Sequence, residues 1–199
     1  SRVITRAGVA LHSGAQVSVR MCPAEPNTGI VFSVDGVAVP ATLSHVVDTQ
    51  LATTVGIGTA RVRTIEHLLA ACVGAGLDNT VVSVSGGEIP ALDGCAAAWL
   101  DAIDSSGLVE QATPKREAVI LRPFEIKDGP RWARLLPADE TILDVRIDFD
   151  HPGVGRQHLT MALKPGTFTR ELAWARTFGF EQHVPAMRRM GLVRGGSLD

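Results

Sequence analysis

Apolar and polar residues alternate in short segments of the first half of the chain, which is the pattern of strands with one buried face. In residues 16–21, Val17, Val19 and Met21 alternate with polar side chains. Turn-forming stretches at Ser13-Gly14 and at residues 23–28 separate these segments. The pattern predicts strands at residues 2–5, 16–21, 29–34 and 53–56, the last leading into residues 61–63.

A continuous apolar run then predicts a helix over residues 64–75. Thr64 is a suitable N-cap, Glu66 falls in the first turn, where the helix dipole favours an acid, and Gly76 follows the last residue. Because this helix is apolar nearly all round, we expect it to be largely buried. Residues 80–84 predict a β-branched strand, and residues 96–106 predict a second helix.

The polar stretch 110–115, which contains a proline, predicts a linker between two parts of the chain. The order of elements then begins again, with strands predicted at 118–126, 131–136 and 142–149 and helices at about 165–174 and 184–190. We therefore predict an α+β protein with two similar sheet-and-helix sandwich domains. The first domain covers residues 1–110, and the second, which is incomplete, covers residues 116–199.

Composition narrows the function classes. The chain has 21 acidic and 19 basic residues, so it lacks the basic field that a nucleic-acid partner requires. No apolar run reaches the length of a transmembrane segment. Residues 115–199 carry 14 basic and 11 acidic residues, which favours this part for an anionic ligand group. The three cysteines have wide, unpatterned spacings, from which we expect a reducing, cytoplasmic setting.

Glu66-His67 is the dipeptide that says most about chemistry. At the start of a helix beside a cavity, the histidine can bind a metal and the glutamate can take a proton from a metal-bound water. The simpler interpretation is an acid that stabilises the helix dipole next to a half-buried histidine. The segments around His12, Asp148–Pro152 and Arg176–Phe180 allow both a binding role and an ordinary turn.

Taken together and in order, these segments resemble one family. They are Gly8–Gly14, Val47–Thr49, Thr64–Ala71, Leu77–Asn79, Ile89–Gly94, Asp128–Ala133, Ile147–Pro152, Ala175–Phe180 and Gly195–Ser197. This series is similar to the zinc-dependent UDP-3-O-acyl-N-acetylglucosamine deacetylase family of Gram-negative bacteria, whose reaction is the committed step of lipid A synthesis. The resemblance covers essentially the whole chain, and it implies two similar α+β domains with an active site between them.

The resemblance also implies residue roles. Glu66 matches the general base, His67 matches a zinc ligand, and Thr177 matches the residue whose hydroxyl stabilises the oxyanion. The positions that match substrate-binding residues are His12, Leu51, Arg131, Phe149, Asp150, Phe178, Val184, Val193, Gly196 and Ser197. Of these, His12 matches a position near the phosphates, and Arg131, Phe149 and Asp150 match positions around the uridine diphosphate; the remaining six match the acyl-chain passage and its neighbouring wall.

The family's other zinc ligands and a second catalytic histidine lie downstream of its Gly-Gly-Ser segment and are not in this chain. A catalytic zinc needs about three protein ligands. We therefore expect residues 1–199 alone to bind zinc weakly and to be inactive. The alternatives are a naturally short, zinc-free homologue that binds a nucleotide sugar or a partner protein, and a metalloenzyme acting on another N-acetyl sugar.

Overall fold

The computed structural model describes residues 2–196, and within them the chain is α+β, as predicted. The strands are β1 Ile4–Val9, β2 Gln16–Pro23, β3 Ile30–Val34, β4 Val37–Pro40, β5 Val46–Asp48, β6 Thr54–Ile57, β7 Ala60–Val62, β8 Thr80–Ser85, β9 Phe124–Asp128, β10 Arg131–Leu135, β11 Ile142–Phe149 and β12 Gly155–Ala162. The α-helices are α1 Glu66–Ala75, α2 Ala97–Ser106 and α3 Val184–Arg189.

The main sheet has five strands in the order β1-β2-β8-β3-β4. All neighbours are antiparallel except β3 and β8, which run parallel. The alternation in β2 places Val17, Val19 and Met21 on the buried face, as the sequence predicted. A second sheet, in the order β5-β6-β7, leads the chain into α1.

Helices α1 and α2 pack against each other. Trp99 and Ile103 of α2 and Leu68 of α1 are completely buried. Burial of an aliphatic side chain such as Ile103 or Leu68 contributes about 1.5–3 kcal/mol to folding. Helix α1 is less buried than predicted, because Val73 on its outer face is 73% exposed. No helix among the described residues is long and apolar enough to cross a membrane.

The chain divides into two compact units. The first unit comprises Ser1–Lys115 together with Thr169–Asp199, and the second comprises Arg116–Phe168. The second unit contains two antiparallel hairpins, β9–β10 and β11–β12. The sequence-based division placed all of residues 116–199 in one second domain, whereas in the structure the segment from Thr169 onward belongs to the first unit.

Several element boundaries differ from the predictions. The first strand extends to Val9, because every residue of β1 pairs with β2. Predicted strand 118–126 is strand only from Phe124, after Pro123, which cannot donate to a ladder. Predicted helix 165–174 is a π-helical segment, Phe168–Leu172, that follows Gly166 in the left-handed region at φ +76°. Strands β4, β5 and β12 carried no recognised signal.

Candidate active site

Glu66 and His67 form the first turn of α1 and are both half-buried. The Glu66 carboxylate accepts a hydrogen bond from the Thr53 amide at 3.0 Å. This bond fixes one oxygen of Glu66 toward the chain that enters β6. The sequence therefore placed this pair correctly, at the start of a helix, where two adjacent side chains can serve one target.

Thr64 does not cap α1, so that part of the prediction is wrong. Ile65 occupies the N-cap position, and Thr64 lies in the left-handed region at φ +61°. Its hydroxyl donates to the Glu88 carboxylate at 3.2 Å, whereas an N-cap oxygen would accept from an amide of the helix. A β-branched residue in this conformation is strained, so surrounding contacts must hold it there.

The buried carboxylate of Glu88 is a feature that the sequence analysis missed. It is 3% exposed and accepts hydrogen bonds from the amides of His12 at 2.8 Å and Ser13 at 3.0 Å, besides the one from Thr64. The sequence feature that could have indicated this buried acid is Glu88 itself, the single charged residue in a segment, 86–90, of glycine and apolar residues. A buried carboxylate without partners would be costly, and three donors offset that cost here.

His12 is 1% exposed, and its ring nitrogens make no hydrogen bond of good geometry among the described residues, although the Leu51 backbone lies close enough to raise the pKa of the ring slightly. Burial lowers the pKa of His12 below its usual value, Glu88 opposes this effect, and the charge of Arg63 adds to it. The ring is therefore neutral at neutral pH. A role for His12 near the phosphates therefore has to be reconciled with the burial of its ring.

The segment that carries Thr177 is attached to the turn before α2. The Thr177 amide donates to the Gly94 carbonyl at 2.8 Å, and Arg176 Nε donates to the Asp93 carbonyl at 2.7 Å. The Asp93 carboxylate in turn accepts a bond from the Cys95 thiol, which lowers the pKa of Asp93. The Thr177 side chain is exposed, and its hydroxyl makes no hydrogen bond within residues 2–196.

The residues that the resemblance assigned to the acyl chain follow Thr177. The rings of Phe178 and Phe180 meet edge to face with centroids 5.7 Å apart, and Phe180 meets His183 in the same way at 5.6 Å. Phe178 is exposed, while Val184, at the start of α3, is half-buried. These side chains form an aromatic and aliphatic series along one segment of the first unit.

The chain after α3 docks on the segment that contains His12. The Gly195 amide donates to the Leu11 carbonyl at 2.9 Å, and the Arg194 amide donates to the His12 carbonyl at 3.3 Å. Val193 lies in the left-handed region at φ +54°, and a Cβ on Gly196 would lie 2.9 Å from it. Leu51, also with positive φ, is 56% exposed. Ser197, the remaining assigned residue, lies outside the described residues.

Three assigned residues belong to the second unit. Arg131 begins β10 and lies 3.9 Å from the Asp128 carboxylate. Phe149 ends β11, and the exposed Asp150 follows it. Within this unit the assigned positions therefore fall at the ends of hairpin strands, where side chains are accessible.

The described residues do not by themselves fit a catalytic zinc ion. Residues 2–196 contain no group of three or more His, Cys, Asp or Glu side chains that could hold a metal. A catalytic zinc takes about three protein ligands, and Glu66 with His67 supplies at most two.

Comparison with known proteins identifies the relatives of this chain. The family model described as UDP-3-O-acyl N-acetylglycosamine deacetylase matches residues 1–199. The chain is 44% identical over 198 residues to a UDP-3-O-acyl-N-acetylglucosamine deacetylase of Acidithiobacillus ferrooxidans, and 46% identical over 195 residues to one of Anaeromyxobacter sp.. Each match covers 96% of this chain, but only 65% and 64% of the two relatives.

The fold and these matches first define a class: this α+β chain is related to deacetylases. More particularly, the chain belongs to the UDP-3-O-acyl N-acetylglycosamine deacetylase family, as the sequence resemblance indicated. It spans less than two thirds of the length of the two relatives. Both carry the deacetylase name, so the comparisons give no support to a zinc-free binding protein.

Proposed function

We propose that the complete protein containing this segment hydrolyses the acetamide of UDP-3-O-acyl-N-acetylglucosamine and releases acetate, the committed step of lipid A biosynthesis. The observation that carries the proposal is the half-buried Glu66–His67 pair in the first turn of α1, within a chain that matches the family over its full length. The proposed setting is the cytoplasm, because three free cysteines suit a reducing compartment. Its cofactor is zinc, with His67 as one ligand and the others supplied from outside these 199 residues.

The role of Glu66 in this proposal is proton transfer. A water oxygen attacks the carbonyl carbon of the acetamide, and the Glu66 carboxylate accepts the proton that this water loses. The bond from the Thr53 amide engages only one carboxylate oxygen, Oε2. The other oxygen remains available for the water. Transfer by a positioned base typically contributes about 10²–10⁴-fold to the rate.

Thr177 stabilises the negative charge that develops on the carbonyl oxygen. Its amide is already used by Gly94, which fixes the backbone, while its exposed hydroxyl is uncommitted within residues 2–196. A donor held by a rigid backbone is the arrangement that oxyanion stabilisation requires. The proton held by Glu66 then passes to the nitrogen, the C–N bond breaks, acetate leaves, and the sugar retains a free amine.

In this proposal, different groups of residues bind the apolar acyl chain and the charged uridine diphosphate of the substrate. Phe178, Val184 and Leu51, with Val193 and Gly196, offer apolar surface for the acyl chain. In the second unit, Arg131, Phe149 and Asp150 offer a cation, a ring and a carboxylate that suit a uridine diphosphate. In this proposal, the loop that contains His12 lies on the side of the site that binds the phosphates.

The test uses the complete enzyme and separates the base from a structural role. Glu66→Gln keeps an oxygen that can accept the Thr53 amide but cannot take a proton, so we expect folding and metal content to be unchanged and turnover to fall about 10²–10⁴-fold. Glu66→Ala removes both functions and is expected to be at least as slow. Retention of more than a tenth of parental turnover by Glu66→Gln would contradict the role.

Two further variants complete the test. His67→Ala removes one of about three protein ligands, so we expect zinc content after dialysis to fall. Thr177→Ala should keep the metal and lower turnover less than loss of the base, because water can partly replace one hydroxyl. If Glu66→Gln loses zinc while His67→Ala keeps it, the two roles are wrongly assigned.

A further inference from the structure

The buried carboxylate of Glu88 connects two segments of the first unit, one of which leads directly into Glu66 and His67. We infer that Glu88 is a positioning residue that holds the His12 loop and the start of α1 in a fixed relation, and thereby orients Glu66 and His67. The inference rests on the proposed function, since it concerns the same site. Glu88 itself is too deeply buried to contact a substrate, with 3% exposure.

The geometry joins two segments that are distant in sequence. Oε1 of Glu88 accepts from the His12 amide and from the Thr64 hydroxyl, and Oε2 accepts from the Ser13 amide. The separations along the chain are 76, 75 and 24 residues for His12, Ser13 and Thr64. One side chain thus fixes the loop after β1 and the residue two positions before Glu66.

The backbone around Glu88 reinforces both connections. The Arg63 amide donates to the Gly87 carbonyl at 3.0 Å, and the Ile89 amide donates to the Arg63 carbonyl at 3.0 Å. On the other side, Ala10 and Pro90 form an antiparallel bridge. The segment that carries Glu88 therefore lies between the His12 loop and the approach to α1 and pairs with each of them.

The conformation of Thr64 explains why the side-chain bond matters. A β-branched residue at φ +61° is strained and persists only where its surroundings hold it. The hydroxyl bond to Glu88 is the side-chain contact that does so. If Thr64 relaxed toward an ordinary conformation, the chain would enter α1 in another direction, and the side chains of its first turn would move with it.

Only a carboxylate satisfies all three donors. In Glu88→Gln the amide oxygen can serve the donors on one side, but the amide NH₂ then faces an N–H or O–H group on the other. The substitution preserves size while replacing an acceptor with a donor. Loss of a buried hydrogen bond to a charged group changes an equilibrium by about 10- to 150-fold.

The test compares variants of the complete, zinc-loaded enzyme. For Glu88→Gln we expect kcat per metal-loaded enzyme to fall about 10- to 100-fold with KM changed less than about 3-fold, since a displacement of about 1 Å at reacting groups can cost about 10²-fold. Thr64→Val should lower kcat in the same direction, and Thr64→Ser, which keeps the hydroxyl, should recover most of it. The double variant Glu88→Gln with Thr64→Val should be little slower than Glu88→Gln alone.

Thr80→Val is the matched control. Thr80 is 2% exposed, like Thr64, and its hydroxyl donates to the Cys22 carbonyl at 2.8 Å in the main sheet. Its loss should lower stability and leave kcat per folded enzyme unchanged. If Thr80→Val and Thr64→Val lower kcat equally, or if Glu88→Gln retains parental kcat, the positioning role is overturned.

A second readout does not depend on activity. Amide hydrogen exchange at His12 and Ser13 should accelerate about 10- to 150-fold in Glu88→Gln and stay unchanged in Thr80→Val. If the parent enzyme shows no deacetylation, the proposed function fails, and the exchange result alone then decides whether Glu88 fixes the loop. Unchanged exchange at both amides would overturn the inference whatever the activity.

Discussion

Replacement of Gly195 by alanine should release the chain after α3 from the His12 segment. A Cβ at this position would lie 2.2 Å from the Ala10 carbonyl oxygen and 2.8 Å from Val9 Cγ1. Since Cβ atoms essentially never approach other atoms closer than 3.0 Å, the backbone would have to move by about 0.8 Å. The hydrogen bonds from the Gly195 amide to the Leu11 carbonyl and from the Arg194 amide to the His12 carbonyl cannot both survive that movement.

The expected cost follows from these two bonds. Each contributes about 0.5–1.5 kcal/mol net, so undocking should become easier by about 1–3 kcal/mol. Amide hydrogen exchange at residues 194 and 195 should therefore accelerate about 5- to 150-fold. Gly179→Ala is the control, because a Cβ there meets nothing within 4 Å. Parental protection of both amides in Gly195→Ala would refute the reasoning.

Two further predictions concern buried titratable groups. Since the folded pKa of His12 is lowered, the unfolded chain binds the extra proton, and stability should fall as pH drops below about 6.5, by at most about 1.4 kcal/mol per pH unit. In His12→Gln the free energy of unfolding should depend less steeply on pH below about 6.5 and should run parallel to that of the parent near pH 8. Identical pH slopes of the free energies from urea titrations would contradict this. Burial raises the pKa of Cys72 to about 12 and also that of Cys95, so a thiol reagent at pH 8 should modify only Cys22 among the three in the native state. Cys22→Ser should abolish that native reaction, and rapid labelling of Cys72 before unfolding would be inconsistent with its burial.

Strong local periodicity made much of the fold predictable. Strand β11 coincides with its predicted range, and β2 and β8 differ from theirs by two residues or fewer, because each alternates or is rich in β-branched residues. Strand β12 carried no such signal, since five of its eight residues are exposed and the consecutive residues 156–158 are all polar. It is a strand because it pairs with β11 along its whole length. Pairing of that kind is a property of two segments and is absent from either one alone.

The candidate site likewise has features that the local sequence predicts and features that it does not. Glu66 and His67 could be placed on a helix start from neighbouring residues. The destination of the Thr64 hydroxyl could not, because its acceptor is Glu88, and local N-cap statistics do not include a distant carboxylate. Likewise, the attachment of residues 176 and 177 to the turn at Asp93 spans about 83 positions and leaves no local trace.

The strand order of the main sheet has a consequence for synthesis on the ribosome. Strand β8 lies between β2 and β3, although it is the last of the five to be made. Until residues 80–85 arrive, β1–β2 and β3–β4 are two separate hairpins with open edges that invite pairing with other chains. At about 5–20 residues per second, the 45 residues from Pro40 to Ser85 take roughly 2–9 s. The nascent chain therefore passes through an interval of seconds in which its largest sheet is in two halves.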